Sequence, residues 1–485
     1  MTLSADVTAG WEMVIGLEIH CQLRTNTKLF SAASANFGDA PNQNTDVVCL
    51  GLPGALPVCN RRAIELATRA SLGLACAVHP VSVFARKHYF YPDLPKGYQI
   101  SQFDRPLATA GRVIIGTLPD GTPRAITITR VHVEEDAGKS VHDRYPGFTA
   151  IDLNRAGTPL IEIVSEPEIR SSAEAGAYVR AVKQILEYTD VSDANMEEGS
   201  LRVDVNISTR PRGSHTLGTR TEIKNLNTIS GVERSIDIEF ARQCAVLAAG
   251  GSVEQRTMLW DGVRNEVRPA REKEGSHDYR YFPEPDLPPL VLDPTWIDAQ
   301  RAALPELPDA KRARFASLYG LTAVEIDALT ATVALADRFE AMAAAGGDAK
   351  RAANWLLGTV LAAINARGIA LEAHPVSVER LGALIRLEAE GAVSNTAAKQ
   401  IFARLEEADD DPRAIAEREG LLQVSDDSAL ARWIDEVFAE LPAETARFLA
   451  GEKKLQGVLV GAVMRKSGGS ADPRKVNQLL GARVG

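Results

Sequence analysis

The sequence predicts an α+β protein, with a large N-terminal domain on a mixed β-sheet, then an all-helical domain and a helical tail. Strand-like alternation of apolar and polar residues dominates residues 12 to about 290. Helical periodicity replaces it further along the chain. The proline-rich stretch YFPEPDLPPLVLDP separates the two regions, because neither a helix nor a central strand can cross it.

Two breaks in the periodicity predict the domain boundaries. The first is the proline-rich stretch, and the second is the acidic segment EEADDDP, which starts at Glu406. We therefore expect domains over residues 1–294, 295–407 and 408–485. A chain of 485 residues is long enough for about three domains of ordinary size.

The region after residue 294 carries helix signals. Thr322 and Glu325 have the spacing of a capping box. Apolar stripes at helical spacing follow, first Leu381, Leu384 and Ile385, which stop at Gly391, and later Leu455, Val458, Leu459, Ala462 and Val463. The loop KSGGSADP resembles a turn between two helices.

The composition excludes several classes of protein. Hydrophobic content of 45% and charged content of 24% are typical of a soluble globular protein, and no apolar run approaches the ~20 residues of a membrane span. The first ten residues lack the basic start and apolar stretch of a signal peptide, so we expect a cytoplasmic protein without membrane contact. The five cysteines form no Cys-x-x-Cys pair, which disfavours structural zinc.

The charge is unevenly distributed. The whole chain has a net charge of −10, which argues against a surface coated with basic residues for long nucleic acids. From Ala446 to Gly485, however, eight Lys and Arg residues stand against two acids, a net charge of +6. The tail therefore has a positive net charge, whereas the rest of the chain has a negative one.

The stretch VHVEEDAGKS ends in Gly-Lys-Ser at residues 138–140, as a phosphate-binding P-loop does. A P-loop also needs a glycine five places before the Gly-Lys pair, and Val133 stands there. Alternation instead favours a strand in which Ile126 and Ile128 share one face. We expect that face to run on through Arg130, His132, Glu134 and Asp136. The stretch is interpreted as a strand whose end turns acidic.

Other predicted strands carry polar residues on one face. In VIGLEIHCQL, Glu18 and His20 are two residues apart, so both point to the same side of a strand and can share one cation. Glu162 lies inside an apolar strand, where a carboxylate needs a partner. In TEIKNLN, Glu222 and Lys224 repeat the pattern, although a solvated ion pair explains that pair equally well.

The stretch SLRVDVNIS predicts a strand with two different faces. We expect one face to pack inward with Leu201, Val203, Val205 and Ile207. The other, lined by Arg202, Asp204 and Asn206, borders either solvent or a cleft.

Carboxylates with one imidazole are the ligands of a magnesium or manganese site, and magnesium in proteins most often accompanies a nucleoside triphosphate. Each acid-bearing strand alone is more often structural than catalytic. Several such strands in one predicted sheet favour a shared cleft.

Seven segments over residues 12–292 carry a specific resemblance, namely VIGLEIHCQL, RKHYFYPDLPKGYQISQFD, ITRVHVEEDAGKS, DLNRAGTPLIEIVSEP, NMEEGSLRVDVNIS, EIKNLN and YRYFPEPDLPPL. With these segments the chain resembles GatB, the B subunit of the tRNA-dependent aspartyl/glutamyl-tRNA amidotransferases. The helical remainder, including VNQLL near the end, is similar to the helical and tail domains of that family.

The resemblance implies a cradle-like catalytic domain and an ATP-dependent carbon–nitrogen ligase with glutamine as amido donor. Such a protein binds Glu-tRNA(Gln) or Asp-tRNA(Asn) and uses ATP to phosphorylate the side-chain carboxylate of the attached amino acid. Ammonia then displaces phosphate and leaves Gln-tRNA(Gln) or Asn-tRNA(Asn). The implied partners are an amidase, the A subunit, which releases ammonia from glutamine, and a small C subunit, which holds the two larger ones together.

The resemblance also implies site residues. The first-choice Mg²⁺ ligands are Glu18, His20, Glu135 and Glu162. Glu134 and Asp136 rank second, because strand alternation places both on the opposite face from Glu135, a conflict that a bulge at the strand end would resolve. The expected phosphate or substrate contacts are Lys87, Lys96, Lys139, Arg202 and Lys224. Alternatively, Lys139 is a loop lysine that contacts neither phosphate nor substrate.

Aromatic residues accompany the bases in RKHYFYPDLPKGYQISQ. Tyr89, Tyr91 and Tyr98 suit stacking on adenine or on the single-stranded acceptor end of tRNA. Core packing is the better interpretation of Phe90. The basic tail is suited to binding the tRNA backbone. Alternatively, its charged residues only form a solvated helical face.

Two other functions compete with this interpretation. In the first, the chain is a non-catalytic tRNA-binding scaffold, which leaves the acids around Glu18, Glu135 and Glu162 without a role. In the second, it is an independent magnesium-dependent kinase or ligase for a small acid. The long helical half with its basic end favours a macromolecular substrate instead.

Overall fold

The computed structural model describes residues 8–270, 279–424 and 426–484, except for the side chain of Asp143. The chain divides into two compact units, Met1–Ala310 and Lys311–Gly485. The assignment of separate roles to residues 1–294, 295–407 and 408–485 stays a prediction.

The first unit contains the strands. In chain order they are β1 (Trp11–Gln22), β2 (Ala77–Val78), β3 (Val81–Ser82), β4 (Phe84–His88), β5 (Tyr98–Gln102), β6 (Ala108–Thr117), β7 (Pro123–Glu135), β8 (Lys139–Tyr145), β9 (Phe148–Asp152), β10 (Pro159–Ser165), β11 (Leu201–Pro211), β12 (Thr221–Leu226), β13 (Thr257–Asp261), β14 (Glu266–Pro269), β15 (Phe282–Pro283) and β16 (Leu290–Val291). Its helices are α1 (Arg61–Gly73), α2 (Ser172–Tyr188), α3 (Ile229–Ala248) and α4 (Pro294–Ala302).

Nine strands form one sheet in the order β14-β13-β12-β11-β1-β10-β7-β6-β2. The β12–β13 pair is parallel and its neighbours are antiparallel, which confirms the predicted mixed sheet. Smaller sheets join β15, β4 and β5, β16 and β3, and β8 and β9.

One face of the large sheet is covered by helices. Ile15, Leu17 and Ile19 of β1 are fully buried and share a core with residues of α1, α2 and α3. On β11, the predicted inward residues Leu201, Val203, Val205 and Ile207 are buried in the same core. Residues of even number on both strands therefore face the opposite side of the sheet.

A β-bulge interrupts β7. Against β10, Arg130 pairs with Val164 whereas Ile128 pairs with Ser165, so Thr129 is an extra residue on β7. Such a bulge reverses which side of the sheet the following residues face.

The bulge overturns one prediction about β7. The core side is occupied by Ile126 and Ile128 before the bulge and by Val131 and Val133 after it, all fully buried. The prediction that Ile126 and Ile128 share a face with Arg130, His132, Glu134 and Asp136 is therefore wrong. Because one residue is inserted, the polar series faces the side away from the helices.

Further helices follow α4 along the chain. In chain order they are α5 (Pro308–Leu318), α6 (Ala323–Leu329), α7 (Val333–Gly346), α8 (Ala349–Asn354), α9 (Leu361–Arg367), α10 (Val378–Ala389), α11 (Asn395–Leu405), α12 (Pro412–Arg418), α13 (Asp427–Glu440), α14 (Pro442–Leu449), α15 (Gln456–Lys466) and α16 (Pro473–Arg483). A π-helical turn, Trp355–Val360, joins α8 to α9.

Most helical signals in the sequence are confirmed, but in the last predicted stripe only Leu459 and Val463 are buried on α15, whereas Val458 is 48% exposed and Leu455 precedes the helix. Thr322 and Glu325 form a capping box at the start of α6. The stripe Leu381, Leu384 and Ile385 is buried on α10. No helix in residues 8–270, 279–424 or 426–484 is long and apolar enough to cross a membrane.

Candidate metal and phosphate site

Five polar side chains meet on the face of the large sheet that points away from the helical core. Four neighbouring strands supply them, with Glu18 and His20 on β1, Glu134 on β7, Glu162 on β10 and Asp204 on β11. The strand register explains the meeting, because His20 pairs with Glu162 and Glu18 pairs with Asp204. We refer to these five residues as the acid cluster.

His20 lies at the centre of the acid cluster. Its Nε2 is 3.3 Å from Glu162 Oε2, 3.5 Å from Glu18 Oε1 and 4.0 Å from Glu134 Oε1. Two overlapping sets of possible ligand atoms result, one from Glu18, His20 and Asp204 and the other from His20, Glu134 and Glu162, each within 4.8 Å. Carboxylate oxygens with an imidazole nitrogen form a donor set that Mg²⁺ or Mn²⁺ accepts.

A second histidine, His132, supports two of the acids. Its Nε2 is 3.4 Å from Glu162 Oε2 and 3.7 Å from Glu134 Oε2. Burial opposes its protonation, but the charges of Glu162 and Glu134 outweigh burial and raise the pKa of His132 to about 9. Burial likewise opposes a charge on His20, while its hydrogen bond to Glu162 raises its pKa. Without a metal ion, the neighbouring carboxylates thus favour the protonated form of both imidazoles.

Glu18 differs from Glu162 in the direction of its pKa shift. Burial and the neighbouring charge of Glu162 raise the pKa of the Glu18 carboxyl. Burial is the larger cause and the charge of Glu162 the smaller one, so both the low polarity of the site and its negative charge disfavour the ionised carboxylate. A divalent cation would offset this charge, so the residues present fit a metal ion.

The structure does not bring Glu135 into the acid cluster. Its Oε1 accepts hydrogen bonds from Lys96 Nζ and from the backbone N–H of Ile100, the latter at 2.9 Å. Adjacent strand residues point to opposite faces, so Glu134 and Glu135 diverge. The geometry therefore favours Glu134 over Glu135 as a metal ligand and reverses the ranking taken from the motif.

Asp136 also lies apart from the cluster, in a pair with Arg202. Its Oδ2 accepts hydrogen bonds from Arg202 at 2.6 Å and from Gln22 Nε2 at 2.9 Å. Burial opposes ionisation of Asp136, but the guanidinium charge of Arg202 prevails and lowers its pKa. The pair borders the cluster, because Arg202 is opposite His20 in the register.

The predicted lysines divide into two groups. Lys224 Nζ is 2.6 Å from Asp204 Oδ2, which places it beside the cluster. Burial opposes the charge on Lys87, but Glu134 and other nearby charges outweigh burial and raise its pKa. Lys96 is bound to Glu135, and Lys139 is exposed at the start of β8. Lys87 and Lys224 are therefore the predicted lysines beside the cluster.

Three residues in or beside the acid cluster received no role from the sequence alone. They are His132, Asp204 and Arg130, whose Nη2 is 3.9 Å from Glu162 Oε1 and whose side chain is 39% exposed. Alternation in LRVDVNIS was a usable signal for Asp204, since it shares a face with Arg202. Arg130 and His132 reach this face through the bulge at Thr129.

A cavity of about 260 Å³ opens beside Lys87. It is lined by Lys87, Tyr89, Tyr91, Asp93, Gln99, Ala137 and Tyr279. The Lys87 ammonium lies 5.2 Å from the centre of the Tyr279 ring. Three tyrosines and a lysine thus surround a space next to the acids.

Phe90 and Tyr98 lie outside this lining. The prediction that Phe90 packs in the core is wrong, because 83% of it is exposed. It follows the end of β4 and its ring covers Gly97, where an added Cβ would lie 3.2 Å from the ring. Tyr98 lies under Arg86, whose guanidinium carbon is 4.2 Å from the ring centre.

Comparison with known proteins identifies the class. A model described as the GatB/GatE catalytic domain matches residues 13–298, and one described as a GatB domain matches residues 337–484. The first unit is thus of the class of amidotransferase catalytic domains, and the chain belongs to the GatB family.

Curated relatives extend the similarity over nearly the whole chain. A protein of Thermosynechococcus vestitus is 51% identical over 482 residues, which cover 98% of this chain and 96% of the relative. One of Alkalilimnicola ehrlichii is 49% identical over 471 residues, covering 97% and 98%. Both are named as the B subunit of aspartyl/glutamyl-tRNA(Asn/Gln) amidotransferase. The resemblance found in the sequence is confirmed.

Proposed function

We propose that this chain is the B subunit of a tRNA-dependent amidotransferase that converts Glu-tRNA(Gln) or Asp-tRNA(Asn) to the corresponding amide at the expense of ATP. Family membership supports the reaction. The observation that carries the catalytic assignment is the acid cluster centred on His20, because a scaffold has no use for four carboxylates that converge on one imidazole.

The chemistry consists of two displacements. A carboxylate oxygen of the attached amino acid attacks the γ-phosphorus of ATP, the bond to ADP breaks, and an acyl phosphate forms. Ammonia then attacks the acyl carbon with its lone pair and loses a proton, and inorganic phosphate leaves. The first step brings anions together, so cations are needed more than a protein nucleophile.

We propose that Mg²⁺ is held by the acid cluster, through Glu18, His20, Glu134, Glu162 and Asp204. When bound, the ion supplies positive charge that offsets the negative charge of the phosphates and the attacking carboxylate. Glu135 and Asp136 are not included, because each is already engaged by a cationic side chain.

Cationic side chains flank the cluster on two sides. Lys87 and Arg130 stand near Glu134 and Glu162, and within the part of the chain that the structure describes, Arg130 has no closer carboxylate than Glu162 at 3.9 Å. Lys224 stands on the other side beside Asp204. We infer that Lys87 and Arg130 bind the transferred phosphate and that Lys224 and Arg202 keep the acids in place.

The tyrosine-lined cavity beside Lys87 fits a flat base. An adenine ring, from ATP or from the terminal nucleotide of the tRNA, would stack on Tyr89, Tyr91 or Tyr279. The phosphate-binding Lys87 lines the same cavity, which supports ATP as the occupant.

The basic tail is proposed to hold the tRNA backbone. Half of its eight cations are paired within the unit, namely Arg447 with Glu452, Lys466 with Glu436 and Glu440, Lys475 with Asp427, and Arg483 with Asp435. Among the described residues no ion pair involves Lys453, Lys454, Arg465 or Arg474, so these four remain for phosphate contacts.

The expected partners, acting with this chain in the cytoplasm, are an amidase (the A subunit) and a small C subunit. The function is tested by ATP cleavage that depends both on a misacylated tRNA and on Glu162. If the chain is only a scaffold, ATP cleavage does not depend on Glu162.

A further inference from the structure

A fully buried lysine lies beside a cysteine in the segment between β1 and α1. Lys28 has no exposed surface, and its Nζ donates hydrogen bonds to Cys49 Sγ and to the carbonyl of Leu153, each at 3.3 Å. In the part of the chain that the structure describes, no carboxylate forms an ion pair with Lys28. Lysine is almost never fully buried unless it is paired. The thiol of Cys49 thus occupies the place where a carboxylate is usually found.

The positions of both residues are fixed by contacts other than their own. The N–H of Lys28 donates to the carbonyl of Ala33 at 3.0 Å, and the N–H of Cys49 donates to Asp46 Oδ1 at 2.9 Å. A Cβ added at Gly157 would lie 3.3 Å from Lys28 Cδ and 3.7 Å from Cys49 Sγ, so this glycine leaves room for both side chains. Because the amine and the thiol are already held together, a reaction between them costs little entropy.

The other four cysteines are poorer targets for an oxidant. Burial raises the pKa of the thiols of Cys21 and Cys76 to about 12, and of those of Cys59 and Cys244 to about 11. At neutral pH these thiols stay protonated, whereas the thiolate is the form that attacks an oxidant. Among the described residues, none of the four accepts a hydrogen bond from an amine. Cys49 is 6% exposed and lies just below the surface, within reach of a small oxidant.

We propose that Cys49 and Lys28 are a modification site, at which hydrogen peroxide produces a reversible covalent cross-link between Sγ and Nζ. The product is a sulfenamide, in which sulfur is bonded directly to nitrogen. The proposal does not rest on the proposed function, because it requires neither ATP nor tRNA. It rests on the buried contact between an amine and a thiol.

The cross-link forms in two steps. The Cys49 sulfur attacks one oxygen of hydrogen peroxide, the O–O bond breaks, and a sulfenic acid and water result, so the sulfur is oxidised and the peroxide is reduced. If Lys28 is an ammonium, it then gives one proton to water. The lone pair of the neutral amine attacks the sulfur and the S–O bond breaks. The departing hydroxide takes a proton from the nitrogen and leaves as water.

A thiol reductant reverses the modification. One thiolate attacks the Cys49 sulfur, the S–N bond breaks, and the Lys28 nitrogen takes up a proton. A second thiolate then releases Cys49 as a thiol, and the reductant leaves as a disulfide. Reversal by a reductant therefore distinguishes this cross-link from sulfinic and sulfonic acids, which thiols do not reduce.

The test treats the full chain with hydrogen peroxide and maps the modification by peptide mass. No lysine or arginine stands between Lys28 and Arg61. Trypsin does not cut after a modified lysine, so the cross-linked site yields a peptide of residues 25–61, whereas the free site yields residues 29–61. A second protease that cuts before aspartate opens the chain at Asp39 and Asp46, between the two linked residues. Fragments that stay joined after both cuts carry the cross-link.

The expected result is that fragments 25–38 and 46–61 stay joined, at a mass two hydrogen atoms below the sum of the free fragments. Dithiothreitol should separate them. The joined pair should be absent from Cys49→Ser and present in Cys59→Ser. The second variant is the matched control, because Cys59 lies in the same tryptic peptide and is more exposed than Cys49. The decisive observation is made on the wild-type chain and does not depend on the folding of a variant.

Three results would overturn the proposal. A disulfide between Cys49 and Cys59 also removes two hydrogen atoms, but trypsin would still cut after Lys28 and the joined pair would be lost in Cys59→Ser. Fragments that stay joined and retain a peroxide oxygen would contain an N–O–S bridge instead of a sulfenamide. Lys28 that stays free, with Cys49 either unmodified or oxidised to a sulfinic acid, would show that the contact is only structural.

Discussion

His20 and Glu162 face each other on neighbouring antiparallel strands, with His20 Nε2 3.3 Å from Glu162 Oε2. Both belong to otherwise apolar strands, and 5% of Glu162 is exposed. A carboxylate held at such a place without a metal needs protonated partners, and His132 and His20 hold the pKa of Glu162 well below its ordinary value against the effect of burial. The pair therefore forms the centre of a charged site and is not part of the hydrophobic core.

Glu134 and Glu135 should differ in their effect on metal use. Glu134→Gln removes a carboxylate from the acid cluster, so the half-saturating Mg²⁺ concentration for ATP cleavage should rise at least ~10-fold. Glu135→Gln removes the partner of Lys96 and should leave that concentration within about threefold of wild type. Titration of Mg²⁺ in both variants decides the matter. The reverse order would restore Glu135 as the ligand.

Arg130 should contribute to phosphate binding. Arg130→Ala should lower kcat/KM for ATP by about 100-fold, because a preorganised cation is lost at the transferred phosphate. Arg130→Lys should recover little, since lysine lacks the rigid guanidinium fork. The control is Arg112→Ala on the exposed side of β6. Wild-type kinetics for Arg130→Ala would exclude the residue from the site.

The capping box of α6 should make the helical unit sensitive to acid. Hydrogen bonding to Lys350 and to Thr322 lowers the pKa of Glu325 to about 2. A carboxyl with a lowered pKa stabilises the fold fully above its unfolded value near 4.5, and the contribution is lost as the pH falls toward 2.

Glu325→Ala should therefore weaken the cap, and the amides of α6 should exchange several-fold faster than in wild type at neutral pH. The difference from wild type should shrink as the pH is lowered from 4.5 toward 2. Hydrogen exchange of the α6 amides in the full chain measures both quantities. A difference that does not change with pH would show that the charge of Glu325 has no part in the cap.

Local periodicity was sufficient where strands are regular. Alternation placed Glu18 and His20 on one face of β1 and separated the buried side of β11 from Asp204. It was sufficient for the helices too, since Thr322 caps α6 and Leu381 is buried on α10, as predicted. In these elements the pattern of burial follows from the spacing of neighbouring residues alone.

Periodicity failed where one residue interrupts it. The extra Thr129 moves Arg130 and His132 to the other face, and nothing in the local pattern marks the insertion, because pairing with the distant β10 determines it. For the same reason, the sequence did not show that His20 would be opposite Glu162, which lies 142 positions further along the chain. Register between distant strands depends on the whole sheet.

We propose that ATP transfers its γ-phosphate to the amino acid of a misacylated tRNA at the acid cluster. The most direct measurement is release of labelled γ-phosphate from ATP in the reconstituted complex, with ammonium in place of glutamine and with Glu-tRNA(Gln) present or absent. The control variant is Glu254→Gln, whose side chain is 69% exposed.

Cleavage should require the charged tRNA, should be retained in Glu254→Gln, and should fall at least ~100-fold in Glu162→Gln, while tRNA affinity stays within about threefold. Cleavage in Glu162→Gln at the wild-type rate would place the ATP site outside the acid cluster.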